Sequence, residues 1–153
     1  MDRIVEQEGA QGAILQAVNH GLVVVPAFLV VALLAERVGS EDLRDMGGLA
    51  LRAPVLAAMA LIVTLAVLAM PGTSNFVGEF LILLGTFESK MVYAIIASIG
   101  VVLASVYALR LFIGAFHNNR GAERVESREV SLRDGLVLVP LVAAIVALAL
   151  YPQ

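Results

Sequence analysis

The sequence predicts an all-α integral membrane protein, a bundle of about four transmembrane helices in which the second helix is discontinuous. Hydrophobic residues make up 60% of the 153 residues, and the mean hydropathy is +0.93, whereas soluble domains are about 45–50% apolar. Charged residues form only 15% of the chain and cluster at the amino end and in two loops. A soluble helical bundle is the alternative, but the stretch 135–151 carries no charged side chain and suits a membrane span better.

The composition also argues against several classes of cofactor and partner. The chain has no cysteine and two histidines, so we expect no structural metal site and no cofactor in this chain. The net charge of −3 and the lack of a basic patch argue against nucleic acid as a partner. The first ten positions hold three acidic residues and one basic residue, Arg3, whereas a signal peptide begins with a basic stretch. The lipid bilayer is the partner that the composition predicts.

Four apolar stretches are long enough to be membrane spans, which need about 20 helical residues. They are 13–35, 54–70 together with 76–87, 91–116 and 135–151. The charged loops 36–52 and 117–134 connect them, and we treat 1–153 as a single membrane domain. Ser40 followed by two acidic residues predicts a short interfacial helix, which Gly47 and Gly48 would end.

The second span is predicted to be broken between Pro71 and Asn75. Proline lacks an amide donor and glycine leaves helical space readily, so Pro71 beside Gly72 stops a helix. As one straight helix, 54–87 would be about 51 Å long, which is too long for one perpendicular crossing. The stretch is therefore either one tilted, unwound crossing or two crossings, of which 76–87 would be short.

The distribution of positive charge favours one broken crossing. With a single crossing, most arginines fall on one side of the membrane, and only Arg3 and Lys90 fall on the other. The arginines on the first side are Arg37, Arg44, Arg52, Arg120, Arg124, Arg128 and Arg133. Two crossings would divide the positive charges almost equally between the two sides of the membrane, whereas cytoplasmic loops normally carry an excess of Lys and Arg. We therefore predict four crossings, cytoplasmic loops 36–52 and 117–134, and both termini outside the cytoplasm.

Glu79 is the first candidate for chemistry. A carboxylate in so apolar a stretch is costly, and such residues usually handle ions or protons. Asn75 lies four residues earlier, so both side chains share a helix face. In a low dielectric the protonated carboxyl is favoured, which would allow proton uptake and release near neutral pH. The alternative is a carboxyl hydrogen-bonded near the start of the second half-helix, and the residues alone leave both open.

His20 is the second candidate, because imidazole titrates near physiological pH and can pass a proton between its two nitrogens. It lies within a predicted span with Gln16 and Asn19 nearby, and the alternative is a hydrogen-bonded packing histidine. His117 lies at a helix end, where we expect a solvated interfacial residue. Thr64, Ser98 and Ser105 are expected to form interhelical hydrogen bonds. We find no nucleophile–base pair, phosphate loop or metal cluster in the sequence.

Four stretches carry a resemblance to a known family: QGAILQAVNHGL at 11–22, RDMGGL at 44–49, MPGTSNFVGEF at 70–80 and ASVYAL at 104–109. Their order and spacing resemble subunit M of the proton-translocating NADH–quinone oxidoreductase, respiratory complex I, and LYPQ at 150–153 is similar to its last-helix ending. Related antiporter-like subunits carry lysine where this chain has Glu79, which points to subunit M. The resemblance implies the last four helices of a longer, multi-pass subunit of the cell inner membrane, with inverted repeats and discontinuous helices.

The resemblance also implies roles for the two candidate residues. Glu79 matches the acid on the family's broken helix, and His20 matches the histidine on the helix before it. In the family these residues belong to the half-channel that leads protons from a central lysine toward the outer face. The earlier helices that carry the family's other glutamate and lysines have no counterpart here. NADH oxidation and quinone reduction would occur on other subunits, so we expect no catalysis by this chain alone and neighbouring membrane subunits as partners.

Three other functions stay open at this stage. The first is a subunit of a cation/proton antiporter or a membrane-bound hydrogenase. The second is a structural membrane fragment in which Glu79 and His20 only pack. The third is a truncated product without transport of its own.

Overall fold

The computed structural model describes residues 2–117 and 129–151, and these residues form five α-helices. They are α1 (Asp2–Val38), α2 (Leu49–Arg52), α3 (Pro54–Val67), α4 (Ser74–Phe116) and α5 (Leu132–Leu150). No strand occurs among the residues described. The predicted charged loop 117–134 falls largely on 118–128, which lie outside the described residues together with Arg120, Arg124 and Arg128.

Helix α4 consists of two segments that run in opposite directions. Lys90 has non-helical dihedral angles, φ −150° and ψ 77°, and it separates α4a (74–89) from α4b (91–116). The start of α4a contacts the middle of α1 at Asn19, and Gly85 lies beside Gly9. The end of α4b instead packs in the core with the carboxyl half of α1. The chain therefore turns back at Lys90, and the predicted span 91–116 coincides with α4b.

The helices form a bundle of four passes: α1, then α3 with α4a, then α4b, then α5. The main core lies where α3, α5 and the end of α4b pack against the carboxyl half of α1. Its buried side chains include Val30, Leu33, Leu34, Leu56, Ala60, Phe112, Phe116, Leu138 and Val142. A smaller cluster of Val23, Ala66 and Ile145 continues this packing toward the break. By length and composition, three described helices could each span a membrane, while Pro54–Val67 is shorter. The number of membrane crossings stays a prediction.

The predicted break in the second pass is present, but it covers 68–73 rather than Pro71 to Asn75. The amide of Met70 donates to the carbonyl of Leu65 at 3.0 Å, and the amide of Ala69 donates to Ala66 at 3.1 Å. These bonds form a Schellman motif, in which the residue after the helix is left-handed. Ala69 takes that conformation with a φ of 48°. Helix α3 therefore ends at Val67, before the proline, and Ser74 and Asn75 already belong to α4.

The short helix predicted to begin at Ser40 does not form. The Ser40 hydroxyl accepts from the amide of Asp42 at 3.1 Å and donates to Asp45 at 2.7 Å, so it stabilises a turn. The exposed Arg44 guanidinium bonds to Asp42 at 2.9 Å and holds the pKa of that carboxyl below its usual value. The short helix of this loop, α2, begins after the two glycines rather than before them.

The hydroxyl groups predicted to connect helices bond within their own helix instead. Thr64 donates to the carbonyl of Ala60 at 2.7 Å, and Ser98 donates to Ala94 at 2.8 Å. Ser105 likewise donates to Val101 at 3.0 Å. The carbonyl four residues earlier is within reach of any helical serine or threonine, so these side chains are satisfied without a neighbouring helix.

Candidate functional site

The site is built where α1 crosses α4a, immediately after the break. Asn19 is 4% exposed, and its side-chain amide donates to the carbonyl of Ser74 at 2.8 Å. This bond joins the middle of the first pass to the first residue of the helix that follows the break. A buried amide–carbonyl bond of this kind fixes the two helices in register, because leaving either group unpaired would cost about 1–3 kcal/mol.

Glycines allow the two backbones to approach closely at this crossing. A Cβ atom added at Gly78 would lie 2.9 Å from the amide nitrogen of Gln16 and 3.0 Å from its Cα. A Cβ atom added at Gly12 would lie 2.6 Å from the Cβ of Leu81. Contacts under 3.0 Å are essentially never seen for real Cβ atoms. The crossing therefore requires glycine at both positions, and it leaves no room for lipid between α1 and α4a.

Both predicted site residues lie near this crossing. Glu79 follows Gly78 on α4a and is half-buried, while His20 follows Asn19 on α1 and is exposed. The two side chains are close enough for an electrostatic interaction. The structure thus brings the two predicted residues together, although it places them at the edge of the bundle rather than in its interior. Asn75 lies one turn before Glu79 in the same helical segment, as predicted, and it is more deeply buried, at 1% exposure.

His20 is exposed on α1, within electrostatic range of Glu79 on α4a. Large apolar residues at other positions around α1 are also exposed: Ile14, Val18 and Phe28 are 70%, 66% and 73% exposed. Their exposure suits lipid or further apolar helices rather than water. An exposed imidazole on such a helix is expensive unless a polar group meets it.

Sequence reasoning missed several parts of the site. Gln16 and Asn19 were noted only as neighbours of His20, whereas Gln16 packs on Gly78 and Asn19 holds Ser74. The glycines were not paired with each other, because nothing in a single sequence shows which helical glycines will meet. Ser74 was not considered, although a hydroxyl beside a predicted break was a usable signal. No group of three or more metal-ligating side chains occurs among the described residues.

Comparison with protein families defines the class of protein that this fold and site belong to. Residues 2–106 match the family described as the transmembrane region of the NADH:quinone oxidoreductase and Mrp antiporter proteins. The match covers more than half of the chain, so the chain belongs to this family of antiporter-like membrane proteins. It is a multi-pass protein of the inner membrane.

Individual relatives narrow the comparison to one subunit type. The chain is 40% identical over 146 residues to the NADH-quinone oxidoreductase subunit M of Escherichia coli strain K12, covering 94% of this chain and 28% of the relative. It is 40% identical over 151 residues to subunit M of Pseudomonas aeruginosa, covering 96% and 29%. The predicted resemblance to subunit M is confirmed. The chain spans under a third of the length of these relatives.

A solved structure shares the fold. A chain of the respiratory complex I from Thermus thermophilus with bound NADH superimposes with a TM-score of 0.88 at 33% sequence identity. The alignment covers 95% of this chain and 31% of that chain. The arrangement of the described helices is therefore similar to that of a segment of that larger chain.

Proposed function

We propose that this chain forms the carboxyl-terminal part of a proton-translocating subunit of an NADH–quinone oxidoreductase. In this role it provides part of a proton half-channel inside a larger membrane complex. NADH oxidation and quinone reduction take place on other subunits, and this chain holds no cofactor and is not catalytic alone. The neighbouring membrane subunits of the complex and the lipid bilayer are its partners.

The observation that carries the proposal is the placement of Glu79. Its carboxyl group lies five residues beyond the start of α4a, half-buried, with His20 within electrostatic range on the adjacent helix. Irregular backbone at membrane depth is tolerated where it is packed in protein or lines a wet cavity, and the break here is packed against α1. A carboxyl beside such a break can bind and release a proton while the helices around it stay in place.

The proposed order of transfer assigns one role to each residue. His20, exposed on α1, receives a proton from helices that lie outside this chain. Glu79 receives the proton from the His20 region and releases it toward the outer end of the bundle. The electrostatic interaction between Glu79 and His20 supports placing both groups in one path.

The decisive test is Glu79→Gln introduced into the complete subunit, with the complex purified and reconstituted into proteoliposomes. Glutamine keeps the size of the side chain and cannot exchange a proton at neutral pH. We expect assembly to be unchanged and proton pumping per NADH oxidised to fall. Glu88→Gln, at an exposed position on the same segment, serves as the matched control. Unchanged pumping in Glu79→Gln would contradict the proposal.

A second candidate function is a subunit of a cation/proton antiporter, which the family description also includes. The same residues would then exchange protons for a cation without electron transfer. Proteoliposomes distinguish the two functions: an antiporter takes up protons when a Na⁺ gradient is imposed, whereas the proposed subunit needs NADH and quinone.

A further inference from the structure

The third pass, α4b, carries an apolar face that the described helices leave open. Only 11% of the most apolar stretch of α4 is buried, against 33% in α1 and 17% in α5. Ile95, Ile99 and Leu103 follow one another at intervals of four residues, so they form a row on one face. They are 51%, 56% and 62% exposed. A face of this kind requires an apolar neighbour.

A groove runs along this face and begins at the turn between α4a and α4b. It has a volume of about 390 Å³. Ala94 and Leu103 both line it, and their separation of nine residues corresponds to about 14 Å along the helix. One leaflet of a bilayer has a hydrocarbon depth of about 15 Å, half of the whole core. The groove therefore has the length of a hydrocarbon chain within one leaflet. Its lining includes one side chain from α4a and several from α4b: Phe87, Ala94, Ile95, Ser98, Ile99 and Leu103.

The lining of the groove suits a narrow, apolar ligand. Ser98 is the one polar residue among those that line it, and its hydroxyl already donates to the carbonyl of Ala94 at 2.8 Å. The groove therefore offers no unpaired side-chain group that would need a polar ligand. An α-helix about 10–12 Å across would occupy at least about 1,100 Å³ over the same length. The groove is too small for a whole helix and suits a single hydrocarbon chain.

A cation lies at the end of the groove. Lys90 occupies the turn between Phe87 and Ala94, which both line the groove. It is the only lysine of the chain, it is exposed, and its ammonium lies 5.9 Å from the centre of the Tyr93 ring. Glu88 is the nearest acid along the chain, but neither Glu88 nor any other described acid forms an ion pair with Lys90. The described residues therefore leave the charge of Lys90 without a counter-ion.

The turn at Lys90 lies where a lipid headgroup would lie. The other end of α4b, at Phe116, packs in the main core with Met46 and Leu49 from the loop after α1. Lys90 is therefore at the opposite end of an apolar span, beside a tyrosine, which is typical of the membrane–water interface. A lysine at this level attracts anionic headgroups. From there the groove runs toward the middle of the span, as the acyl chain of a phospholipid does.

We propose that α4b carries a binding site for an anionic phospholipid. Its phosphate contacts Lys90 and Tyr93, and one of its acyl chains occupies the groove. The charge at one end and the apolar lining along the rest match the two parts of a single phospholipid molecule. The site depends on the geometry of α4b and not on the proposed function of Glu79.

The test is photocrosslinking in the whole complex, reconstituted into liposomes that contain a trace of labelled phosphatidylglycerol. The label is a diazirine on one acyl chain, and crosslinked peptides are identified by mass spectrometry. We expect crosslinks within 94–103. A phosphatidylcholine probe with the same acyl chains should label these residues about fivefold less, the weight of one lysine at an anionic surface. Equal labelling by the two probes, or no crosslink within 94–103, would overturn the proposal.

Two variants with matched controls test the two parts of the site. Lys90→Gln should lower labelling by phosphatidylglycerol about fivefold, whereas Arg110→Gln, which removes a charge near the other end of α4b, should leave it unchanged. Ser98→Leu fills the groove and should remove most of the labelling. Ala97→Leu, at an exposed position of the same helix that does not line the groove, is its control. Thermal denaturation of each complex shows whether a loss of labelling reflects a loss of folding.

A density map of the complex gives an independent result. We expect a tube of density along 94–103 that ends at Lys90. Side chains of a neighbouring helix in the groove would overturn the proposal. Labelling of the Lys90→Gln complex at the level of the unmodified complex would also overturn it, because the lysine would then not recognise the headgroup.

Discussion

The close approach of α1 and α4a makes Gly78→Ala the most informative change to the fold. A Cβ atom at this position would lie 2.8 Å from Gln16 Oε1, 2.9 Å from the Gln16 amide nitrogen and 3.0 Å from its Cα. A rotamer change can move the first of these atoms, but the other two belong to the backbone. Ordinary van der Waals contact begins at 3.4 Å, so the two helices must separate by about 0.5 Å.

The expected penalty follows from overpacking, which typically costs about 1–3 kcal/mol. Gly100→Ala is the matched control, because a Cβ atom there meets nothing within 4 Å. In that exposed helical position, alanine should stabilise α4b by up to about 1 kcal/mol relative to glycine. The two variants are the same chemical change in the same helix, and they should move stability in opposite directions.

The assay is thermal denaturation of the purified complex, with the amount of assembled complex measured alongside. We expect Gly78→Ala to denature at a lower temperature and to assemble in smaller amounts, while Gly100→Ala matches or exceeds the unmodified protein. If Gly78→Ala and Gly100→Ala behave alike, the backbones do not approach as closely as described, and the account of the crossing is wrong.

Two further changes test the ends of the helices. Ala69→Gly should stabilise the complex by about 0.5–1 kcal/mol in the same thermal assay, because glycine adopts the left-handed conformation of Ala69 without strain. The control Ala66→Gly lies in the helical last turn of α3 and should destabilise the complex. A loss of stability in both variants would refute the Schellman assignment. Arg37→Leu should destabilise by about 1–3 kcal/mol, because the buried guanidinium donates to the carbonyls of Leu33 at 2.9 Å and Glu129 at 3.2 Å. Arg44→Leu, at an exposed surface pair, is the control and should leave the denaturation temperature unchanged; equal effects of the two arginine changes would refute the bridging role of Arg37.

The long helices were predictable from the sequence because apolar runs of that length have few alternatives. The span 91–116 coincides with α4b, and α5 begins three residues before the predicted 135. Helix α1 is longer than the predicted 13–35, since the polar residues before position 13 continue it. Composition thus predicted the presence of the long helices well and their end residues less well, because caps and turns set where a helix ends.

The position of the break could not be read from residue preferences. Pro71 and Gly72 indicated correctly that the second pass is interrupted. The helix nevertheless ends earlier, at a Schellman motif with alanine in the left-handed position that glycine usually takes. Alanine in that position gives no sequence signal, because its intrinsic preference is for the helix interior. Tertiary packing must hold it there, and Ala69 is in fact buried.

The sequence offered the titratable candidates of the site, whose role stays a prediction, but it did not indicate their surroundings. A carboxyl and an imidazole in apolar spans are conspicuous in any sequence, so Glu79 and His20 could be named at once. The contact between Gln16 and Gly78 depends on which helices cross and at which residue. Long-range pairing of that kind is not encoded in local periodicity, so it required the structure.

The break is not the arrangement that packing stability alone would select. Its backbone is satisfied by the Schellman bonds and by the bond from Asn19 to Ser74. A leucine at position 75 would therefore fit a purely structural break better, because it would remove about 1–3 kcal/mol of unsatisfied polar burial. The chain instead buries an amide there, and neither of its polar atoms bonds to another described residue. The stability of the described helices alone does not account for that residue.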